Sequence, residues 1–144
     1  METISEFMAA DHRRCDDLFV AAERAASQPD WDTVRDEFNQ FLRAMARHMA
    51  MEEQALFPSF EQANSSPMGP VAVMRHEHQQ MRELFDEMDA AVAAKSTDDF
   101  LGSAETLLIL MQQHNRKEES ILYPMSDQML AGQRDTLLKH MRSM

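Results

Sequence analysis

Hydrophobic residues recur along this chain with the 3.6-residue period of amphipathic helices. In the first segment, Met8, Cys15, Leu18, Phe19 and Ala22 follow this spacing. Runs of β-branched residues with a period of two, which would predict strands, do not occur, and the chain has only three glycines. The pattern therefore predicts an all-α protein.

Capping and turn residues divide the pattern into separate helices. Thr3 and Glu6 form a capping box, Asp30 and Ser96 are further N-cap candidates, and Pro70 suits the first position of a helix. The predicted helices cover residues 3–27, 30–60, 70–95 and 96–127, and a short amphipathic piece follows Gly132. The clearest linker is the segment 64–70, which is rich in Ser, Pro and Gly.

Short connections between these helices predict antiparallel neighbours, and hence an up-down-up-down four-helix bundle with a short C-terminal helix. At 144 residues, the length predicts one domain, 1–144. It would consist of two helix-pair repeats, about 3–62 and 69–128, and a tail helix within 129–144. Pro58 and Pro124 are each expected to kink or end a helix.

The same residues occur twice, 66 positions apart. This register joins His12 to His78, His48 to His114, Glu52 to Glu118 and Pro58 to Pro124. Four of the six histidines belong to it. Each repeat thus contains a single His followed by a His-x-x-x-Glu motif, which places the second His and the Glu one helical turn apart on the same face.

This arrangement predicts a metal site in the interior of the bundle. Burying two carboxylates and four imidazoles without partners would cost several kcal/mol, whereas two divalent ions would supply compensating charge. We expect His12 and His48 to hold one ion and His78 and His114 the other, with Glu52 and Glu118 shared. The alternative, that these are hydrogen-bonded core residues, is disfavoured by the doubled spacing.

The ligand types narrow the choice of metal. Nitrogen and oxygen donors without thiolate suit iron, manganese or zinc, and carboxylate-bridged pairs in helical bundles are typical of di-iron and di-manganese proteins. Four imidazoles to two carboxylates is richer in His than a ferritin-type site, which argues against mineral storage. Such a ligand set leaves coordination positions open for a small molecule.

The charge and the single cysteine exclude other classes. A net charge of −11 disfavours binding to nucleic acid and to anionic lipid. No apolar stretch is long enough to span a membrane, the N-terminus lacks a signal-peptide core, and Cys15 has no partner for a disulfide. The sequence predicts a cytoplasmic protein. No nucleophile motif, phosphate loop or hydride-cofactor fingerprint favours a conventional enzyme.

The chain resembles the hemerythrin-like (HHE) cation-binding family over about residues 5–127. The motifs that carry the resemblance are Asp11-His12, His48-x-x-x-Glu52-Glu53 with Leu56-Phe57-Pro58, Glu77-His78, and His114-x-x-x-Glu118-Glu119 with Leu122-Tyr123-Pro124. The resemblance implies a non-haem di-iron centre with an oxo or hydroxo bridge. Family members bind dioxygen, or act in oxygen, nitric oxide or iron handling and in the repair of iron–sulfur centres.

One position departs from the oxygen-carrying members, which have a further histidine where this chain has Met74. His76 lies about 200° around the helix from His78 and is expected to point away. Glu53 and Glu119 are expected to be solvated or structural, with replacement of the neighbouring bridge as the alternative. Cys15 is expected to be a small buried hydrophobe rather than a ligand.

Three functions stay open at this point. The first is a di-iron protein that binds a diatomic ligand such as O2 or NO, in sensing or in iron homeostasis. The second is an iron donor or repair module for an iron–sulfur client protein. The third is a redox-inert bundle, stapled by zinc, that serves in interaction. The tail, which contains His140, could pack on its own bundle or on a second copy in a homodimer.

Overall fold

A computed structural model describes residues 1–64 and 69–144, so residues 65–68 of the predicted linker lie outside it. The described residues form helices and turns, without strands, which confirms the all-α class. The helices are α1 (Ile4–Ser27), α2 (Trp31–Met51, continuing through a π-helical turn at Glu52–Leu56 into Phe57–Ala63), α3 (Pro70–Ala93), α4 (Thr97–Lys117, continuing through a π-helical turn at Glu118–Leu122 into Tyr123–Met129) and α5 (Arg134–Arg142), with a 3-10 turn at Ala131–Gln133 before α5.

The helices begin at the residues predicted to cap them. The Thr3 hydroxyl accepts the Glu6 amide at 3.0 Å, and the Ser96 hydroxyl accepts the Asp99 amide at 3.2 Å. Asp30 caps α2 in the same way, which satisfies amides that have no partner within the helix.

Neither Pro58 nor Pro124 ends its helix. Each follows a π-helical turn, in which Phe57 donates its amide to the Glu52 carbonyl and Tyr123 donates to the Glu118 carbonyl. A proline has no N–H to donate to the helix. The missing hydrogen bond falls next to the π-helical turn, where the spacing of the backbone hydrogen bonds changes from four residues to five, so the helix continues. Both wide turns start at the glutamates predicted to bind metal.

The four long helices close into a bundle. Helices α1 and α2 pack as one hairpin and α3 and α4 as another, while α1 also packs on α4 and α2 on α3. The short α5 packs against α1 and the first π-helical turn, so the tail lies on its own bundle.

Two apolar clusters fill the interior. One contains Phe19, Phe38, Phe41, Phe85 and Phe100, and the other contains Ile4, Leu56, Phe60, Tyr123 and Leu138. Buried polar side chains lie in the bundle as well, and they are His12, His48, Glu52, His78, His114 and Glu118 together with Asp11, Glu77 and Ser126.

One contact fastens the beginning of the chain to its far end. The Asp127 carboxylate, just before the end of α4, accepts the Ile4 amide at 2.8 Å and the Ser5 amide at 3.3 Å. Asp127 thereby satisfies free amides at the start of α1, close to where Thr3 caps the same helix.

Candidate metal centre

The six predicted ligands converge inside the bundle, each with 3% or less of its surface exposed. Helix α1 supplies His12, α2 supplies His48 and Glu52, α3 supplies His78, and α4 supplies His114 and Glu118. Every long helix therefore contributes at least one side chain.

All four imidazoles turn Nε2 toward the two central glutamates. His12 Nε2 lies 3.0 Å and His114 Nε2 lies 3.2 Å from Glu118 Oε1. His78 Nε2 lies 3.1 Å and His48 Nε2 lies 3.5 Å from Glu52 Oε1. The inward side of each ring is thus the side that offers a lone pair or a proton to the centre.

These atoms form two overlapping groups. Ligand atoms of Glu52, His78, His114 and Glu118 all lie within 4.8 Å of one another, as do those of His12, His48 and Glu118. The pairs of histidines are the predicted ones. Glu118 belongs to both groups, whereas Glu52 belongs only to the group with His78 and His114.

The outward nitrogen of every imidazole is held by a second carboxylate. The Nδ1 to oxygen distances are 2.8 Å for His48 to Asp11, 2.9 Å for His114 to Glu77, 2.7 Å for His12 to Glu119 and 2.6 Å for His78 to Glu53. A carboxylate that accepts Nδ1–H leaves the Nε2 lone pair free for a metal ion and fixes the plane of the ring. The four rings are therefore oriented for coordination.

Asp11 and Glu77 are two site residues whose role the sequence did not reveal. Both precede a histidine, but each one orients the histidine of the neighbouring helix and not the one beside it in the chain. Their identical place in the two repeats was the available signal. The hydrogen bond and charge of His48, together with Arg14, hold the pKa of Asp11 below its usual value although burial opposes this.

Glu53 and Glu119 contact the rings from outside the centre and do not replace Glu52 or Glu118. Arg82 donates to both oxygens of Glu53, at 2.8 and 2.9 Å. Burial would raise the pKa of Glu53, but Arg82 and His78 lower it below its usual value. The expectation of a structural role is the one that the geometry supports.

Tyr123 is a further side chain at the centre. Its hydroxyl oxygen lies 2.8 Å from Glu52 Oε2, 3.0 Å from Glu118 Oε1 and 3.2 Å from His12 Nε2. Burial and the charges of Glu118 and Glu52 raise the pKa of Tyr123 well above 10.0. The phenol is thus a proton donor to the central carboxylates.

Buried carboxylates and imidazoles shift each other's protonation. Burial opposes a charged imidazole, yet Glu118 and Glu52 raise the pKa of His12, and the same two glutamates with Glu77 raise that of His114 to about 9. Burial and the neighbouring Glu118 raise the pKa of Glu52. Hydrogen bonds hold the pKa of Glu118 well below 4.5 in spite of its burial.

Two polar atoms at this centre indicate whether it can hold a cation. Among the described residues, His48 Nε2 and Glu118 Oε2 are buried without a hydrogen-bond partner. Unsatisfied buried acceptors are costly, and a bound cation would satisfy both. The donors are imidazole nitrogen and carboxylate oxygen, since burial raises the pKa of Cys15 to about 12 and keeps it a thiol. The residues therefore fit metal ions that prefer nitrogen and oxygen ligands.

A cavity of about 10 Å³ adjoins the four imidazoles. It has room for about one water-sized molecule. Cys15, Asp16 and Asn115 line it on the side of α1 and α4, and methionines including Met49 and Met81 line it elsewhere.

The remaining candidates lie away from the centre. His76 is exposed on α3, as expected, and His140 is exposed on α5. Met74 is buried in the apolar cluster that contains Ile4 and Leu56.

The comparisons with known proteins agree with this geometry. The family model described as the hemerythrin HHE cation binding domain matches residues 3–126. An uncharacterized hemerythrin-like protein of Schizosaccharomyces pombe is 30% identical over 120 residues, which are 83% of this chain and 57% of that protein. This chain therefore spans little more than half the length of that relative. No solved structure gives a significant match.

Among the described helices, none combines the length and the apolar character needed to cross a bilayer. The family model that matches residues 3–126, together with the cluster of His and Glu side chains, shows that the chain belongs to the hemerythrin HHE cation-binding family.

Proposed function

We propose that this metal-binding protein holds two iron ions and binds a small diatomic ligand such as O2 or NO, in sensing or in iron homeostasis. The observation that carries the proposal is the pair of ligand groups that share Glu118. One ion would lie with His12 and His48, and the other with His78, His114 and Glu52. Bound iron would supply open coordination positions and one-electron redox chemistry.

The chain itself orients the four imidazoles and shields part of the metal centre from water. Carboxylates on Nδ1 hold each imidazole in one plane, so that ligand binding need not reorder the rings. Phe57 and Tyr123 pack beside His78 and His12, with ring centres 5.6 Å apart in both pairs. The adjoining cavity admits about one small molecule. Four imidazoles and a small cavity, lined in part by methionines, favour binding of a diatomic over mineral storage.

The test is elemental analysis of freshly purified protein together with its optical spectrum. We expect about two iron atoms per chain, near-UV and visible charge-transfer bands in air, and changes in these bands on adding azide or NO. Iron-loaded protein without such bands under all these conditions would contradict the proposal.

Other outcomes of the same measurement point to the remaining functions. Zinc in place of iron, in cells grown with ample iron, would favour the redox-inert bundle. Iron that moves to an apo iron–sulfur protein faster than to a chelator would favour a donor. Manganese bound by the same residues would support a two-metal centre but would contradict the choice of iron.

We further propose that the protein works in the cytoplasm and does not bind nucleic acid. The net charge of −11 supports the second statement, because phosphates would be repelled. A homodimer stays a proposal that a measurement of mass in solution would test.

A further inference from the structure

The predicted metal ligands and the carboxylates on their Nδ1 atoms follow the 66-residue register, but some side chains around the cavity do not. Three positions on the wall of the small cavity or next to it differ between the repeats. Cys15 corresponds to Met81, Asp16 to Arg82, and Asn115 to Met49. A centre that is nearly symmetric therefore has two different surroundings.

On one side, the wall of the cavity continues to the surface. Asp16 and Asn115 line the cavity and also line a groove of about 540 Å³ between α1 and α4. Asp16 is exposed and Asn115 is half-buried. The same two polar residues thus separate the metal centre from solvent.

On the other side, the corresponding positions are filled. Met49 is 2% exposed and lies on the cavity wall. Arg82 reaches from α3 to both oxygens of Glu53 on α2. A buried thioether and a paired guanidinium replace the amide and the carboxylate of the first side.

We propose that small molecules and ions reach the metal centre from one side, through the cleft between α1 and α4 past Asp16 and Asn115, and that the Asp16 carboxylate disfavours anions there. The ligands concerned are those of the proposed function. The route itself is a property of the chain and can be measured without metal.

The charges at the cleft support selection against anions. Within the described part of the chain, Asp16 is the one carboxylate that lines the cavity. Glu119 adds a second carboxylate to the groove, and the exposed Arg116 lines it as well, so the groove carries a net negative charge. A neutral diatomic does not interact strongly with these charges, and a divalent cation is attracted by the two carboxylates. An anion such as azide must pass the Asp16 carboxylate closely.

Cys15 provides a probe, because it is the only cysteine, is 3% exposed and lies on the cavity wall. In the full chain without metal, the rates of alkylation by iodoacetate and iodoacetamide are measured at one pH. The two reagents are similar in size and differ in charge, so their ratio cancels any change in the reactivity of the thiol. We expect Asp16→Asn to raise the iodoacetate to iodoacetamide ratio about threefold to fivefold, since one repulsive charge at close range is removed.

The control is Asp17→Asn, which removes the same charge from the next residue of α1, outside the groove. Its ratio should equal that of the unchanged chain. An unchanged ratio in Asp16→Asn, or the same rise in both variants, would overturn the selection by charge.

The route is tested by blocking each side in turn. Asn115→Met copies the residue of the other repeat, and Gln112→Trp narrows the groove at an exposed position. Both should slow the two reagents severalfold. Ala46→Trp is the matched control, because Ala46 is exposed and occupies the position of Gln112 in the first repeat. Equal slowing by Gln112→Trp and Ala46→Trp would overturn access from one side, and so would no slowing by either groove variant.

The same variants separate this proposal from the proposed function. If the chain bound no iron, the function would fail while the alkylation rates could still establish the route. If iron and azide bound as proposed, but at rates that none of these variants changed, the route would fail alone.

Discussion

Phe57 and Tyr123 occupy the same position in the two repeats and pack on His78 and His12 in the same way, but Tyr123 alone carries a hydroxyl into the centre. This oxygen reaches both central glutamates. The two halves of the centre therefore differ by one proton donor, which lies on the His12 side.

Replacing Tyr123 with Phe should destabilise the metal-free chain. The buried carboxylates of Glu52 and Glu118 would lose a donor, which costs about 1–3 kcal/mol in the free energy of unfolding. Urea unfolding of the metal-free variant would measure this loss. Metal-loaded protein is the control, because bound cations would satisfy the same oxygens and reduce the difference. Equal unfolding midpoints in metal-free protein would contradict the role given to the hydroxyl.

Removing a proposed ligand should lower metal occupancy sharply. His48→Ala and Glu118→Ala each remove a donor from a group that offers few others. His140→Ala is the control, since His140 is exposed on α5. Elemental analysis after dialysis measures the result, and equal occupancy in all three variants would refute the ligand assignment.

The carboxylates on Nδ1 should matter almost as much as the ligands. Asp11→Asn and Glu77→Gln keep the shape of the side chain but weaken the acceptor, so we expect a loss of about 10- to 100-fold in metal affinity. Competition with a metal chelator gives this affinity. Glu83→Gln is the matched control on α3, because Glu83 is exposed to solvent. An unchanged affinity in Asp11→Asn and Glu77→Gln would show that orientation of the rings is dispensable.

Stability and metal binding should respond to pH in opposite directions. The pKa of His114 in the metal-free fold is raised from 6.5 to about 9. The protonated imidazole therefore contributes stability that is complete below pH 6.5 and is lost as the pH rises toward 9. A metal ion needs the neutral ring, so its affinity should rise over the same interval.

Urea unfolding of metal-free protein and metal titrations at pH 6.5 and at pH 9 would measure both trends. The pKa of His12 is raised as well, which adds to the effect in the same direction. An affinity that did not depend on pH in this window would contradict the four-imidazole centre.

The sequence predicts the helices, and which candidate residues converge in the bundle, because both depend on local or repeated signals. Thr3, Asp30 and Ser96 mark helix starts through their own side chains, and the register identifies His48 and His114 without any knowledge of packing. The sequence did not predict the π-helical turns before Pro58 and Pro124. A helix can accommodate the missing N–H of a proline either by ending or by forming such a turn, and the local sequence does not distinguish the two.

The contacts between helices could not be read in the same way. Asp11 accepts from His48 across 37 positions, and Tyr123 donates to Glu52 across 71 positions. Such pairs depend on the rotation of each helix in the bundle, which the 3.6-residue period leaves uncertain by a residue or more. The same limit applies to the cleft past Asp16, since exposure there is decided by how closely α1 and α4 approach.

The hydrogen bonds between the Asp127 carboxylate and the first turn of α1 limit where the chain can be truncated. The family match ends at residue 126, one position short of the carboxylate that accepts the Ile4 amide. An expression fragment cut at that boundary would free the start of α1 and remove α5, which covers Ile4 and Met8 in the same apolar cluster. We therefore expect the stable folding unit to extend beyond the segment that the family model matches, and binding studies on a fragment cut at residue 126 to measure a loosened bundle.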